Sequence, residues 1–187
     1  MPEIMVDPRR CMACRSCEIA CGINRDSTSK TVAGAFKEEI VPTPRVVVQG
    51  NEAISLPVQC RHCQEAPCLD TCPSGALYRS AEGDKVLLDD FKCIGCRMCT
   101  AVCPFGAIKP NSTGKVAIKC DACWGMERPF CVEACPTKAL AYVDAAGLRQ
   151  LSRRKAGNVV ETIFAKAGSD ESATYLKLDH IYGRGGQ

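Results

Sequence analysis

Apolar residues along the chain fall into short runs separated by turn residues, and three pairs of these runs predict β-hairpins. Each pair flanks a segment containing glycine together with asparagine or acidic residues, a composition that favours tight turns between strands. No run approaches the roughly 18 apolar residues of a membrane span, so the pattern excludes an integral membrane protein. The predicted strand pairs are 45–48 with 53–58, 76–79 with 85–88, and 107–109 with 115–118.

A different pattern occupies residues 145–187, which contain no cysteine. The spacing of Asn158 and Glu161 is that of a capping box, and apolar residues continue at helical spacing up to Gly168. Residues 174–182 carry further apolar side chains on a polar background. We interpret residues 145–187 as a helical and extended arm that docks onto a partner subunit or a second copy of the chain. The alternative, that this segment covers the rest of the protein, stays open.

Sixteen cysteines among 187 residues change this picture. They inflate the apolar fraction of 46%, and the chain has only one Trp, four Tyr and five Phe, so side-chain packing alone makes a small core. The N-terminal residues show no secretory or twin-arginine leader, and we expect the protein to stay in the cytoplasm. Because that compartment is reducing, metal ligation explains the cysteines better than eight disulfides do.

The cysteines form four motifs of four. Motifs one and three have the spacing C-x2-C-x2-C-x3-C, which bacterial ferredoxins use for 4Fe–4S clusters. Motifs two and four insert residues only between their second and third cysteines, and motifs two, three and four continue as Cys-Pro-x-x-Ala followed by Leu or Ile. The motifs are Cys11, Cys14, Cys17 and Cys21; Cys60, Cys63, Cys68 and Cys72; Cys93, Cys96, Cys99 and Cys103; and Cys120, Cys123, Cys131 and Cys135.

In two-cluster ferredoxins, the fourth cysteine of one motif ligates the cluster of the other, so motifs work in pairs. We also expect the fourth cysteine to begin a short helical turn that leads away from the first cluster. Links of 20 and 16 residues join motifs two to three and three to four, whereas 38 residues separate motif one from motif two. These lengths are not decisive, but we favour a nested arrangement in which residues 1–58 and 112–144 flank residues 59–111.

The nested arrangement predicts four ligand sets, each with three cysteines from one motif and the fourth cysteine of its partner. The first and second sets join motifs one and four, and the third and fourth sets join motifs two and three. The predicted sets are Cys11, Cys14, Cys17 and Cys135; Cys120, Cys123, Cys131 and Cys21; Cys60, Cys63, Cys68 and Cys103; and Cys93, Cys96, Cys99 and Cys72.

Other metal and catalytic chemistries have weaker support. Four-thiolate zinc sites in a structural module are the main alternative, although two undegenerate ferredoxin-type motifs count against them. A nucleophilic triad, a phosphate-binding loop and a dinucleotide fingerprint are absent from the sequence. Since motif two already has four cysteines, we interpret His62 as a hydrogen-bonding or packing residue rather than a ligand. The sequence therefore predicts a protein that is not itself an enzyme.

Four cations adjoin cysteines in the sequence: Arg15, Arg61, Arg97 and Lys119. Positive charge near an iron-sulfur cluster favours its reduced form and raises its potential. Solvated surface charges would give the same pattern, and the sequence leaves the two explanations open.

Residues 11–142 resemble the four-cluster subunits of the dimethyl sulfoxide reductase iron-sulfur subunit superfamily. The phrases RRCMACRSCEIAC, LPVQCRHCQEAPCLDTCPSGAL, KCIGCRMCTAVCPFGAI and KVAIKCDACWGMERPFCVEACPTKAL carry this resemblance, which is strongest to its short soluble members. The resemblance implies an α+β fold of two interlocked ferredoxin-like modules, four 4Fe–4S clusters and the nested sharing of cysteines.

The resemblance also implies a function in electron transfer. The partners would be a catalytic oxidoreductase subunit, such as an aldehyde oxidoreductase, carbon monoxide dehydrogenase or formate dehydrogenase, and a second redox subunit or acceptor. A free polyferredoxin that diffuses between enzymes is the alternative.

Cluster binding alters the charge of the protein. The formal net charge of +3 treats each cysteine as neutral. Sixteen thiolates and four oxidised cubes of about +2 each change the total by about −8, giving about −5. Residues 1–144 then carry the negative charge and residues 145–187 remain basic, a distribution that does not favour nucleic-acid binding.

Overall fold

The computed structural model describes residues 2–38, 41–51, 54–81 and 85–144, together with residues 146, 147, 149, 153, 156 and 157. The chain divides into two compact units, Met1–Tyr142 and Val143–Gln187. The helix predicted over residues 158–168 and the extended segment 174–182 lie outside the described residues. The docking arm therefore stays a prediction.

Within the described ranges, short helices alternate with two-stranded antiparallel sheets, which confirms the predicted α+β class. The strands are β1 (Glu3–Val6), β2 (Val46–Gly50), β3 (Ser55–Gln59), β4 (Leu77–Arg79), β5 (Val86–Leu88), β6 (Ile108–Pro110), β7 (Ala117–Lys119) and β8 (Leu140–Val143). The helices are α1 (Ser16–Asp26), α2 (Val32–Lys37), α3 (Pro67–Asp70), α4 (Met98–Val102) and α5 (Phe130–Glu133), with a 3-10 turn over Pro8–Arg10. None of the helices in these ranges is both long and apolar enough to cross a membrane.

The three predicted hairpins are confirmed, with strand ends that differ by at most two residues. In β2–β3, Val46 pairs with Gln59, while in β4–β5 Leu77 pairs with Leu88. In β6–β7, Asn111 organises the turn because its backbone carbonyl accepts a hydrogen bond from the Gly114 N–H at 2.9 Å. This last hairpin crosses the boundary at residues 111 and 112 that the nested arrangement predicts.

A fourth sheet was not predicted from the sequence. It joins β1, before motif one, to β8, after motif four. The backbone N–H of Asp7 extends the contact by donating to the carbonyl of Ala139 at 2.8 Å. The two ends of the cysteine-bearing segment are thus held side by side.

The prediction that a helical turn begins at the fourth cysteine is wrong for motifs two, three and four. There, α3, α4 and α5 contain the third cysteine and end before the fourth. Each fourth cysteine precedes a proline, which disfavours the helical conformation of the residue before it. A hydrogen-bonded turn follows, as in the bond from Gly75 N–H to the Cys72 carbonyl at 3.3 Å. Cys21 precedes no proline, and α1 continues beyond it to Asp26.

Two groups of buried side chains hold these elements together. The outer core contains cysteines of motifs one and four, and the inner core is packed by cysteines of motifs two and three. The outer core comprises Ile4, Cys17, Cys21, Val46, Val48, Ala122, Cys131, Val132, Cys135, Ala139 and Leu140. The inner core comprises Ala66, Leu77, Val86, Cys99, Ile108 and Ala117, with Cys63, Cys68, Cys72, Cys93 and Cys103 packed against it.

Candidate metal centre

Motif one meets the end of motif four at the outer core. The chain reaches α1 through Arg15, whose left-handed φ of 58° turns the backbone sharply between Cys14 and Cys17. Burial raises the pKa of Cys17 to about 11, and the negative charges of Glu18, Cys135 and Cys14 add to this effect. Cys135 acts on Cys14 as well. The structure therefore brings the fourth cysteine of motif four close to motif one.

The first three cysteines of motif four lie deeper and interact with Cys21. Cys21, Cys120, Cys123 and Cys131 are all buried. Burial raises the pKa of Cys131, and the charges of Cys120, Cys21 and Cys123 raise it further. Burial also raises the pKa of Cys120 to about 12. These four thiols form one electrostatically coupled group across the contact of motif four with α1.

Motifs two and three show the reciprocal relation. Burial raises the pKa of Cys68, with further contributions from Cys60 and Cys103 that Lys119 opposes. Burial likewise raises the pKa of Cys99, and the nearby charges are those of Cys93, Cys96 and Cys72. One cavity is lined by all four of the latter cysteines, together with residues of β4, β5 and β7.

A tight turn inside motif three shapes that cavity. Gly95, between Cys93 and Cys96, has a φ of +71°. A Cβ atom at this position would lie 2.2 Å from the backbone oxygen of Lys115, so no larger residue fits without moving the β6–β7 connection. The glycine thus lets the C-x2-C turn pack directly against the following hairpin.

Backbone N–H groups point at several sulfurs. Such bonds stabilise a thiolate and are a recognised means of adjusting cluster potential. At Cys135, desolvation opposes ionisation, but N–H groups of Leu140 and Ala139 and the Thr137 hydroxyl outweigh it and lower the pKa. The N–H to Sγ bonds run from Arg45 to Cys21 (3.3 Å), His62 to Cys60 (3.4 Å), Ala117 to Cys93 (3.4 Å), Ala122 to Cys120 (3.3 Å) and Ala139 to Cys135 (3.2 Å).

His62 lies between two cysteines of motif two and takes part in hydrogen bonding, as predicted. Its Nδ1 accepts a hydrogen bond from the Val86 N–H at 3.1 Å, so the neutral ring carries its proton on Nε2. Burial lowers the pKa of His62 to about 3, and the charges of Lys119 and Lys85 contribute. Among the described residues, the buried Nε2 has no hydrogen-bond partner.

This donor set fits iron-sulfur clusters. All sixteen cysteines are free thiols. Burial raises the pKa of Cys17, Cys120 and Cys131, so their thiolates need a compensating positive charge, which iron supplies on binding. The backbone N–H of His62 already donates to Cys60 Sγ, and its buried Nε2–H is a donor without a partner among the described residues. In the described part of the chain, no three Cys, His, Asp or Glu side chains are grouped to hold a single metal ion.

Comparison with known proteins agrees with this chemistry. The sequence profile of the 4Fe-4S dicluster domain matches residues 51–145. The chain is 39% identical to an iron-sulfur protein of Rhodospirillum rubrum over 78% of this chain and 84% of that one. It is 34% identical to the B chain of the anaerobic dimethyl sulfoxide reductase of Escherichia coli (strain K12), over 78% and 74%. It is 36% identical to the electron transport protein HydN of the same organism, over 81% and 93%.

This chain is a member of the 4Fe-4S dicluster family. Its cofactors are therefore 4Fe–4S clusters, as the cysteine spacing predicts, and sixteen cysteines are the number that four such clusters require. Membership of this family favours iron-sulfur clusters over the four-thiolate zinc sites that were the main alternative. Motif one precedes the profile match, which begins at residue 51 and covers motifs two, three and four.

The structure separates the four cations that the sequence could not distinguish. Arg15, Arg61 and Arg97 are exposed, whereas Lys119 is only 7% exposed. For the three arginines of this dicluster protein, the solvated-surface explanation thus applies. For the buried Lys119, the other explanation stays open, namely that its charge favours the reduced form of a nearby cluster.

Several charged groups near the sulfurs had no signal in the sequence. Arg25 forms an ion pair with Asp121 beside Cys123, and Arg45 pairs with Asp26 at 2.6 Å beside Cys21. These partners are 96 and 19 residues apart along the chain, so only the folded structure brings them together.

Proposed function

We propose that this protein is a non-catalytic electron-transfer subunit that holds four 4Fe–4S clusters and connects a catalytic oxidoreductase subunit with an electron acceptor. When bound, 4Fe–4S clusters supply one-electron storage at potentials that the protein adjusts. One observation carries the proposal: cysteines of motifs one and four share the outer core, and cysteines of motifs two and three share the inner core. Membership of the dicluster family and the electron-transfer relatives support it.

Within this proposal, the ligand sets are those of the nested arrangement. The first set uses Cys135 because its charge reaches Cys14 and Cys17. The second uses Cys21, which acts on Cys131. In the third and fourth sets, the interactions of Cys68 with Cys103 and of Cys99 with Cys72 support the exchange between motifs two and three.

The burial of the cysteines suggests an order for the four sites. Cys14 in the first set and Cys96 in the fourth are exposed, whereas the second set is buried throughout. Cys60 of the third set acts on Cys120 of the second, which brings the two interior sites together. We therefore propose the order first, second, third, fourth, with electrons arriving and leaving near Cys14 and Cys96.

The partners in this proposal are a catalytic subunit and a second redox subunit or acceptor, with residues 145–187 as the docking arm. The dimethyl sulfoxide reductase relative is a named component of a multi-chain reductase, which supports a dedicated subunit over a freely diffusing polyferredoxin. Sixteen free cysteines also suit a reducing compartment, and we propose the cytoplasm.

Double cysteine variants test the proposal. The protein is purified without oxygen from its native cells and should contain about sixteen iron atoms, four for each cluster, together with its catalytic partner. Cys11→Ala with Cys135→Ala removes two ligands of one proposed cluster and should leave about twelve iron atoms. Cys93→Ala with Cys135→Ala removes one ligand from each of two clusters and should leave about eight.

The two double variants are matched controls, since each removes two cysteines and shares Cys135→Ala. Iron analysis and electron paramagnetic resonance spin counts give the readout. The reverse order of iron contents would contradict the nested ligand sets. Purification of the full chain without any partner would instead favour the diffusing polyferredoxin.

A further inference from the structure

Lys119 is a buried cation at the end of β7. Its ammonium group donates hydrogen bonds to the backbone carbonyls of Val86 and of Cys120, the latter at 2.9 Å. In the described ranges, no carboxylate forms an ion pair with it. Two carbonyls satisfy its hydrogen bonds but do not neutralise its charge, and an uncompensated buried charge is costly.

A second buried lysine faces the same interior region. Lys85 is 7% exposed, and its Nζ donates to the carbonyl of Pro2 at 3.3 Å. Both lysines act electrostatically on His62, which lies between Cys60 and Cys63. Val86, whose carbonyl accepts from Lys119 and whose N–H donates to His62, packs in the inner core with Cys63, Cys68 and Cys103, so Lys119 adjoins the third ligand set.

Lys119 also acts electrostatically on one sulfur of that set. It favours the thiolate of Cys68, in opposition to the dominant effect of burial. The neighbouring carboxylate of Asp121 does not cancel this charge, because it pairs with Arg25 and accepts the Cys123 N–H at 3.0 Å. Four thiolates around an iron-sulfur cube carry a net negative charge, which would compensate the buried lysines.

The other three ligand sets have different surroundings. At the first set, the carboxylate of Glu18 adds negative charge beside Cys17. At the second, Arg25 and Arg45 are paired with aspartates, and Lys119 contacts the backbone carbonyl of Cys120 at 2.9 Å. At the fourth, the nearest cation in sequence, Arg97, is exposed and so screened by solvent.

We propose that Lys119, assisted by Lys85, raises the reduction potential of the site of Cys60, Cys63, Cys68 and Cys103. An added electron increases the negative charge of a cluster, so a nearby buried cation stabilises the reduced form. Lys119 is a positioning residue, since it acts on the cluster site through the electric field of its charge and not as a ligand. This inference rests on the proposed four-cluster function.

The test compares Lys119→Met with Lys119→Arg in redox titrations followed by electron paramagnetic resonance. The signal of the third set is identified as the one that changes in Cys103→Ser. At a fixed solution potential, Lys119→Met should lower its ratio of reduced to oxidised form about tenfold, equivalent to about 59 mV for a one-electron couple. Lys119→Arg keeps the charge and should largely restore the ratio. The other three signals should move less.

Arg61→Met is the matched control, because Arg61 adjoins Cys60 of the same set but is exposed. Screening by water should keep its effect below about twofold. If Lys119→Met binds iron normally and its signal does not move, or moves no more than that of Arg61→Met, the proposal is overturned.

Lys85→Met decides the case in which Lys119→Met fails to fold. A lower potential of the third-set signal would support the field of the two lysines, whereas an unchanged potential would overturn it and leave Lys119 a structural role. Failure of the proposed function is visible separately, because the unsubstituted protein would then contain far fewer than about sixteen iron atoms.

Discussion

The outer and inner cores contain the same kind of cysteine motif, but they differ in the amount of side-chain packing around it. The outer core adds the aliphatic side chains of β1, β2, α5 and β8 to its cysteines, and its longest helix, α1, has eleven residues. The inner core has fewer aliphatic side chains, and each of its strands, β4 to β7, has three residues.

The two cores also handle charge differently. Near the outer core, Arg25 and Arg45 each face an aspartate. Near the inner core, Lys85 and Lys119 are buried and donate to backbone carbonyls. The same ligand motif therefore occurs in two settings. In the outer core it lies among aliphatic side chains and paired charges, and in the smaller inner core it lies near buried lysines that donate to backbone carbonyls. We expect the inner core to depend more on its metal.

The largest difference between the two cores should appear when a chelator removes the iron in the absence of oxygen. Because the inner core has little other packing, amide hydrogen exchange in β4 and β5 should accelerate at least about tenfold more than exchange in β2 and β3. Mass spectrometry of peptides after exchange measures both hairpins in one sample. Equal acceleration in the two hairpins would remove the proposed difference between the cores.

A matched pair of leucine substitutions should have the next largest effect. Leu140 in the outer core is 1% exposed and Leu77 in the inner core is 4% exposed. Leu140→Ala should cost about 3 kcal/mol or more through lost burial and a cavity, which for a domain of this size lowers the melting temperature by about 6–12 °C. Leu77→Ala should lower the free energy of unfolding by less, since the smaller inner core can relax around the cavity.

Ile94→Ala serves as the control for these variants, because Ile94 is 68% exposed. Its melting temperature, followed by loss of cluster absorbance without oxygen, should stay within about 2 °C of the unsubstituted protein. A larger loss for Leu77→Ala than for Leu140→Ala would contradict the comparison.

Breaking one ion pair near each core should have the smallest effect. Arg45 and Asp26 have side chains 18% and 21% exposed, and Asp26 also accepts the Thr43 N–H at 2.6 Å. Arg45→Met leaves the Asp26 carboxylate partly buried with the Thr43 N–H as its remaining donor. This variant should lower the free energy of unfolding by about 1–3 kcal/mol. Lys92→Met, which breaks an exposed pair with Asp89, should cost less than about 0.5 kcal/mol.

The same thermal measurement compares Arg45→Met with Lys92→Met, and salt gives a second readout. The cost of the exposed pair should vanish at high salt, whereas the cost at Arg45 should persist. Equal costs at low salt would show that the charge pairs near the outer core contribute no more than surface pairs.

The sequence predicted those parts of the fold that are local along the chain. The β6–β7 hairpin follows from apolar runs around Asn111 and Gly114, and the ligand spacing follows from the geometry of a single turn. The predicted position of the short helices is wrong because the proline after the fourth cysteine is a helix stop as well as a marker of the ferredoxin motif.

Long-range features had no comparable signal. Glu3–Val6 is too short to show a strand pattern, and its partner β8 lies more than 130 residues away. Lys119 and Arg61 each adjoin a cysteine in the sequence, yet Lys119 is buried with its ammonium group on the Val86 carbonyl and Arg61 is exposed. Burial of a charge depends on tertiary contacts that residue type and spacing do not encode.

The pairing of β1 with β8 has a consequence for the order in which the protein is assembled during synthesis. Residues of β1 and motif one are made before the other three motifs, yet the strand partner of β1 appears only when Leu140–Val143 has been made. At 5–20 residues per second, this interval lasts on the order of ten seconds. Motifs two and three are complete earlier, so the inner core can enclose metal while the N-terminal thiols still await their neighbours. We therefore expect the thiols of motif one to stay uncovered for longer during synthesis than those of motifs two and three.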